Sequence, residues 1–243
     1  MKSFNQELFD LYNENWSTYL KELNAIAQDN EAKVKPTNPL CLGIKDEKRY
    51  FNADLRVMVF GQETNDWGQL NEQTTIESLQ ESYSSFYGGQ EFNKWKGQFR
   101  NGYNLLFSKI NEIHPDKKVE FVWNNIIKTG RRRVKGIKKS AAGAPTKQIY
   151  ELEKNHFNII PGEINILKPD VLIFLTGPSY DKYVRTVFSS GNFEAIQGFK
   201  KRQLAQISLI NNVKSAVRTY HPAYLYRTGI NSYVNKILEC TSF

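Results

Sequence analysis

The chain has 243 residues, 40% of them apolar and 24% charged, which is too long and too apolar for a disordered tail. Its two cysteines, Cys41 and Cys240, exclude a disulfide scaffold, a four-thiolate zinc site and a four-cysteine iron–sulfur cluster. No apolar run approaches the ~20 residues of a bilayer span and the first residues lack a signal-like apolar stretch, so a protein of the cytoplasm that does not enter membranes is expected.

Apolar side chains at Phe4, Leu8, Leu11, Tyr12, Trp16, Tyr19, Leu20, Leu23 and Ile26 follow the three-and-four spacing of one amphipathic helix over 4–28. Residues 29–54, polar and carrying Pro36 and Pro39, read as an extended connection. Four apolar, β-branched runs then read as strands: 55–60, 119–123, 171–175 and 216–220. Helical periodicity covers Gly102–Ile113 and Gln148–Leu167, and Pro169-Asp170 ends a helix before the third strand. Phe193–Ile210 reads equally as a helix or a pair of short strands. The alternation predicts an α/β fold with a parallel sheet covered by helices on both faces, in a single domain over 1–243 with its core over 55–240. A monomer is expected.

Charge is unevenly spread. Residues 1–120 carry 14 basic and 18 acidic side chains, and residues 121–243 carry 19 and 7. A half with a net charge of +12 suits a polyanion, nucleic acid first among them, although a lysine-rich solvated surface has the same composition. Six basic side chains fall within Gly130–Lys139: Arg131, Arg132, Arg133, Lys135, Lys138 and Lys139. This run reads as a loop after a strand end, available for phosphate contact.

In an open parallel sheet, ligands bind beyond the carboxyl ends of the strands. The residues following the four runs are Gly61-Gln62-Glu63-Thr64, Asn124-Asn125, Thr176-Gly177-Pro178-Ser179 and His221-Pro222-Ala223-Tyr224-Leu225-Tyr226-Arg227. A carboxylate, amides and an imidazole would thus share one rim. Asn124 and Asn125 also suit a turn, and Glu63 also suits a solvated acid near a helix start.

In this order the segments resemble the uracil-DNA glycosylase superfamily. Gly61-Gln62-Glu63 is similar to its glycine-led first motif, Trp123-Asn124-Asn125 to its asparagine-bearing second strand end, Leu167–Gly177 to its proline-led third strand, and His221-Pro222-Ala223-Tyr224-Leu225 to its H-P-S-x-L motif. The resemblance implies a three-layer α/β/α sandwich around a four-stranded parallel sheet. It also implies hydrolysis of the N-glycosidic bond of uracil, or of another deaminated base, in DNA, with no metal or cofactor. By position, Glu63 orients the water and His221 stabilises the leaving base. Gly61, Gln62 and Asn125, or by a one-residue shift Asn124, line the base pocket, with Phe86 or Tyr87 stacking on the base. Leu225 is the wedge into the duplex. Apart from the resemblance, the charge of the Arg/Lys run and of Arg227 makes them expected DNA contacts. Three departures bear on activity: Glu63 stands for Asp, Thr64 for Pro, and Ala223 for Ser. A catalytically silent nucleic-acid-binding relative is the alternative, and an enzyme of small nucleotides a third reading.

Overall fold

A computed structural model describes residues 2–138, 140–189, 191–208 and 213–241. In chain order its elements are α1 (Phe4–Asn13), α2 (Trp16–Gln28), β1 (Val34–Pro36), α3 (Glu47–Phe51), β2 (Leu55–Glu63), α4 (Ile76–Tyr87), α5 (Glu91–Lys94), α6 (Gln98–Ile113), β3 (Val119–Ile127) and β4 (Arg131–Arg133). There follow α7 (Lys147–His156), α8 (Ile160–Leu167), β5 (Val171–Phe174), α9 (Asp181–Phe188), β6 (Asn192–Ala195), β7 (Leu204–Ser208), β8 (Ser215–Thr219), α10 (Pro222–Thr228) and α11 (Ile230–Cys240). None of the described helices is long and apolar enough to cross a membrane. Two compact units are distinguished. One comprises Met1–Lys45, Gln62–Gly88 and Ile127–Ile166; the other comprises Asp46–Gly61, Gly89–Ile126 and Leu167–Phe243.

The protein is α/β, with a mixed sheet of six strands in the order β3-β2-β5-β8-β7-β6 among the described residues. Strand β5 pairs in parallel with β2 (Val57↔Val171) and with β8 (Val171↔Ser215), whereas β7 is antiparallel to β8 and to β6. The expected count of four is therefore corrected to six. The two additional strands come from the ambiguous segment 193–210, where Phe193 alone of β6 is buried while Leu204, Ala205 and Ile207 of β7 are all buried. Strand β5 is buried throughout, which explains its unbroken apolar run.

Within the same unit, α6 buries Phe99, Tyr103, Leu106 and Ile110 at helical spacing and packs on α10 and α11. Gly102 makes that packing possible: a Cβ there would stand 2.5 Å from Pro222 Cγ. Arg218 of β8 is fully buried. It donates to Asp181 Oδ2 at 3.0 Å, to Arg202 O at 2.9 Å and to Lys201 O at 2.8 Å, so its fixed fork of donors is matched by three acceptors.

The other unit is helical apart from the two-stranded ladder of β1 and β4. Two expectations are corrected here. The single helix over 4–28 is two helices, α1 and α2, interrupted at Glu14-Asn15. The supposed Arg/Lys loop begins as strand β4, because Val34–Pro36 of the presumed irregular connection pairs with it. Tyr19 and Phe157 stack at 4.6 Å in this unit's core.

Below them lies a buried polar network. Lys128 Nζ meets Glu163 Oε1 at 2.8 Å with both side chains essentially inaccessible, Tyr12 Oη donates to the same oxygen at 2.7 Å, and Leu42 N donates to Tyr12 Oη at 2.9 Å. Beside it, Glu153 accepts from Lys128 N and Thr129 N, each at 2.8 Å. Burial pushes the Glu153 carboxyl from its ordinary 4.5 up to about 7, against the pull of those two N–H groups. Between these two values the folded chain holds a proton that the unfolded chain has released, so stability is greatest below the lower value and declines as pH rises towards 7. Urea midpoints measured from pH 4.5 to 7.5 should show that decline, and Glu153→Gln, which cannot ionise, should flatten it.

Candidate functional site

The unit that holds the six-stranded sheet gathers six of the residues singled out above: Gly61, Asn124, Asn125, His221, Leu225 and Arg227. Strand β2 runs on to Glu63 and β3 to Ile127, so Gly61 and Asn124-Asn125 lie within strands and not beyond them as expected. Successive strand residues point to opposite faces, and this separates the two asparagines. Asn124 is spent internally: its Nδ2 donates to Met58 Sδ at 3.5 Å and its Oδ1 accepts from Asn125 N at 2.8 Å. Asn125 points the other way.

Trp123 Nε1 donates to Asn125 Oδ1 at 3.2 Å. An indole nitrogen can only donate, so this contact settles which end of the amide is oxygen. Asn125 Nδ2 is left buried, with no hydrogen-bond partner among the described residues. Such a group normally costs about 1–3 kcal/mol and calls for an acceptor. Gly61 leaves room for the amide: a Cβ there would lie 2.4 Å from Asn125 Oδ1 and 3.1 Å from Phe99 Cε2.

Phe99, at the start of α6, brings a ring to the same place. It is near-parallel to the His221 imidazole, with centroids 6.2 Å apart and planes at 27°. His221 caps α10, its Nδ1 accepting from Ala223 N at 3.2 Å. That bond puts the ring proton on Nε2, and burial lowers the histidine's pKa, so the neutral imidazole offers Nε2–H as a donor. Pro222 at the first position of α10 and the close approach at Gly102 fix where the capping residue stands.

The next residues of the H-P-S-x-L-like segment correct an expectation. Leu225 is only 1% exposed, because on α10 it turns towards the core, whereas Tyr224 and Tyr226 are 41% and 42% exposed. The apolar surface of this turn is therefore aromatic. Tyr224 packs on Tyr220 at 4.3 Å, and the Arg227 guanidinium lies 5.6 Å from its ring.

The remaining positions belong to the helical unit. Glu63 ends β2 half-buried, with Gly143 beside its carboxylate, and Gln62 precedes it, also half-buried. Thr64, the residue that stands for Pro, is tied into this turn by its side chain. Its buried hydroxyl accepts from Gly130 N at 2.7 Å, donates to Lys128 O at 3.3 Å and lies 2.6 Å from Thr37 Oγ1. Phe86 and Tyr87 end α4 and pack on Trp67 (5.2 Å) and Tyr83 (5.4 Å). The Arg/Lys run is divided. Arg133 pairs with Asp66 at 3.6 Å, Arg131 bridges to Gly143, and Arg132 faces the opposite side of the ladder. Lys135 and Lys138 are exposed, and Lys139 lies outside the described residues.

Phe99 is the site residue that the sequence reading missed. Its signal was the stripe Phe92, Trp95, Phe99, Tyr103, spaced as on a helix and clustered around Trp123. Among the described residues no group of three or more His, Cys, Asp or Glu side chains is arranged to hold a metal ion. Compared with protein-family models and with curated proteins, the chain matches none.

Proposed function

We propose that the chain is a uracil-DNA glycosylase-like hydrolase, and that the residues around Asn125 receive a base extruded from DNA. The observation that carries this reading is the Asn125 amide, buried, oriented by Trp123 and with its Nδ2 unspent. It offers a donor in Nδ2–H and a second lone pair on Oδ1, the complement of an imide edge with one C=O beside one N–H. Uracil has that edge. Cytosine presents the reverse pattern and would need the amide flipped, which the Trp123 donor opposes. The Phe99 ring supplies a stacking face.

In the reaction, water attacks C1′ as the C1′–N1 bond breaks, and the bonding electrons leave with the base. The negative charge settles partly on the base's O2, where a neutral His221 donating from Nε2 stabilises it without prior loss of a proton. Glu63 is the carboxylate that this reading assigns to the attacking water, and cations of the second half of the chain meet the DNA phosphates.

Oligonucleotides carrying uracil, hypoxanthine or xanthine, single- and double-stranded, test the proposal through abasic-site cleavage. Uracil should be released. Glu63→Gln should lower release while sparing DNA binding, and Glu63→Asp should retain it. Gly61→Ala, which pushes the Asn125 amide aside, should slow excision about tenfold, the value of one hydrogen bond, with an unchanged circular dichroism spectrum. Binding to DNA without release of any base by the wild type or by Glu63→Asp would favour a silent nucleic-acid binder.

A further inference from the structure

The helical unit has a second feature, independent of the glycosylase reading. On the antiparallel ladder of β1 and β4, Lys35 stands directly opposite Arg132. Residues so paired have Cβ atoms about 4.5–5.5 Å apart on one face, and like charges there are destabilising. Neither side chain has an ion-pair partner among the described residues. Arg132 Nε is moreover buried with no hydrogen-bond partner. Two adjacent cations, one with an unspent buried donor, suit an anion placed between them.

The two cations form part of the wall of a cleft of about 620 Å³, a size within the ordinary range of small-molecule sites and far more than a phosphate alone would fill. The rest of the wall is rich in amides, including Asn24, Gln28 and Asn71, which can both donate and accept. Its single carboxylate, Glu72, accepts from Gln28 Nε2 at 2.9 Å and keeps lone pairs for further donors. A carboxylate would repel a second phosphate but suits vicinal hydroxyls. An amide wall suits the polar edge of a nucleobase better than a lipid chain.

We propose that this cleft binds a ribonucleoside phosphate, with the phosphate between Lys35 and Arg132, the ribose hydroxyls donating to Glu72, and the base edge against the amides. The ligand has two possible sources, a free nucleotide or the end of an RNA strand, with the same chemistry.

Calorimetric titration of the full chain tests this with adenosine 5′-monophosphate, its 2′-deoxy analogue, inorganic phosphate and a short single-stranded oligoribonucleotide. Adenosine monophosphate should bind at least about tenfold more tightly than inorganic phosphate, and Arg132→Ala or Lys35→Ala should each weaken it about tenfold or more, as expected for losing a charged hydrogen bond. Glu72→Gln should abolish the preference for ribose over deoxyribose and leave phosphate binding in place. Competition between the mononucleotide and the oligoribonucleotide tells which source binds more tightly. Without ligand, Arg132→Ala should melt at or above the wild-type temperature, because a like-charge contact is relieved. A lower melting temperature would assign Arg132 a structural role and overturn the proposal. Nucleotide binding no tighter than that of phosphate, or unchanged in the two alanine variants, would also overturn it. Uracil excision reports on the other reading and does not enter this test.

Discussion

His221→Ala is expected to lower single-turnover uracil excision by about 10²–10³-fold, the usual loss when one donor to a developing anion is removed. The expectation rests on geometry that fixes the imidazole before any ligand arrives. Ala223 N–H occupies Nδ1, the Phe99 ring lies alongside, and burial keeps the ring neutral. The same residue caps α10, so its removal should also cost about 1 kcal/mol of stability. His221→Asn separates the two roles, because asparagine is a good cap but places its donor differently. Excision should fall in both variants while normal-duplex binding and, in His221→Asn, the melting temperature stay near wild type. With the histidine required neutral, the wild-type rate should fall only at pH below its already lowered pKa. Equal losses of binding and rate would make His221 structural.

The largest loss of stability should follow from breaking the Lys128–Glu163 pair. Both side chains are almost wholly buried, at 1% and 0% exposure, so removing one partner strands a charge in the core. Lys128→Ala should cost about 3–5 kcal/mol. At ~2–4 °C per kcal/mol for a chain of this size, the melting temperature should drop by about 6–20 °C. The pair itself need not stabilise the fold relative to neutral groups. Lys128→Met with Glu163→Gln keeps an acceptor for Tyr12 Oη and should recover most of the loss, whereas failure to recover would show that the charges themselves are needed.

The four apolar runs reappear as the starts of β2 and β3 and as β5 and β8, because strands buried on both faces are predominantly apolar. Strand ends were less legible. Asn124 and Asn125 look like turn residues by type, yet β3 continues through them: Asn124 is satisfied inside the sheet, and Asn125 keeps a buried Nδ2 with no hydrogen-bond partner among the described residues. The pair β6 and β7 was ambiguous because short half-buried strands carry little periodicity. Phe99 was missed because the helical reading began at Gly102, four residues after the start of α6 at Gln98. Leu225 was read from its place in a motif, but the face it occupies depends on where α10 begins, and only the packing at Pro222 decides that.

The buried Arg218 has a kinetic consequence. Its guanidinium grips the carbonyls of Lys201 and Arg202, so the turn that carries Lys200, Lys201 and Arg202 is moored from beneath by its own backbone. A cationic turn on a mobile loop must surrender conformational entropy at each encounter with a polyanion. A moored one has surrendered it already on folding, and presents its charges in a constant array to whatever approaches. Its attraction should then appear mainly as faster capture at low ionic strength, fading as salt screens the approach.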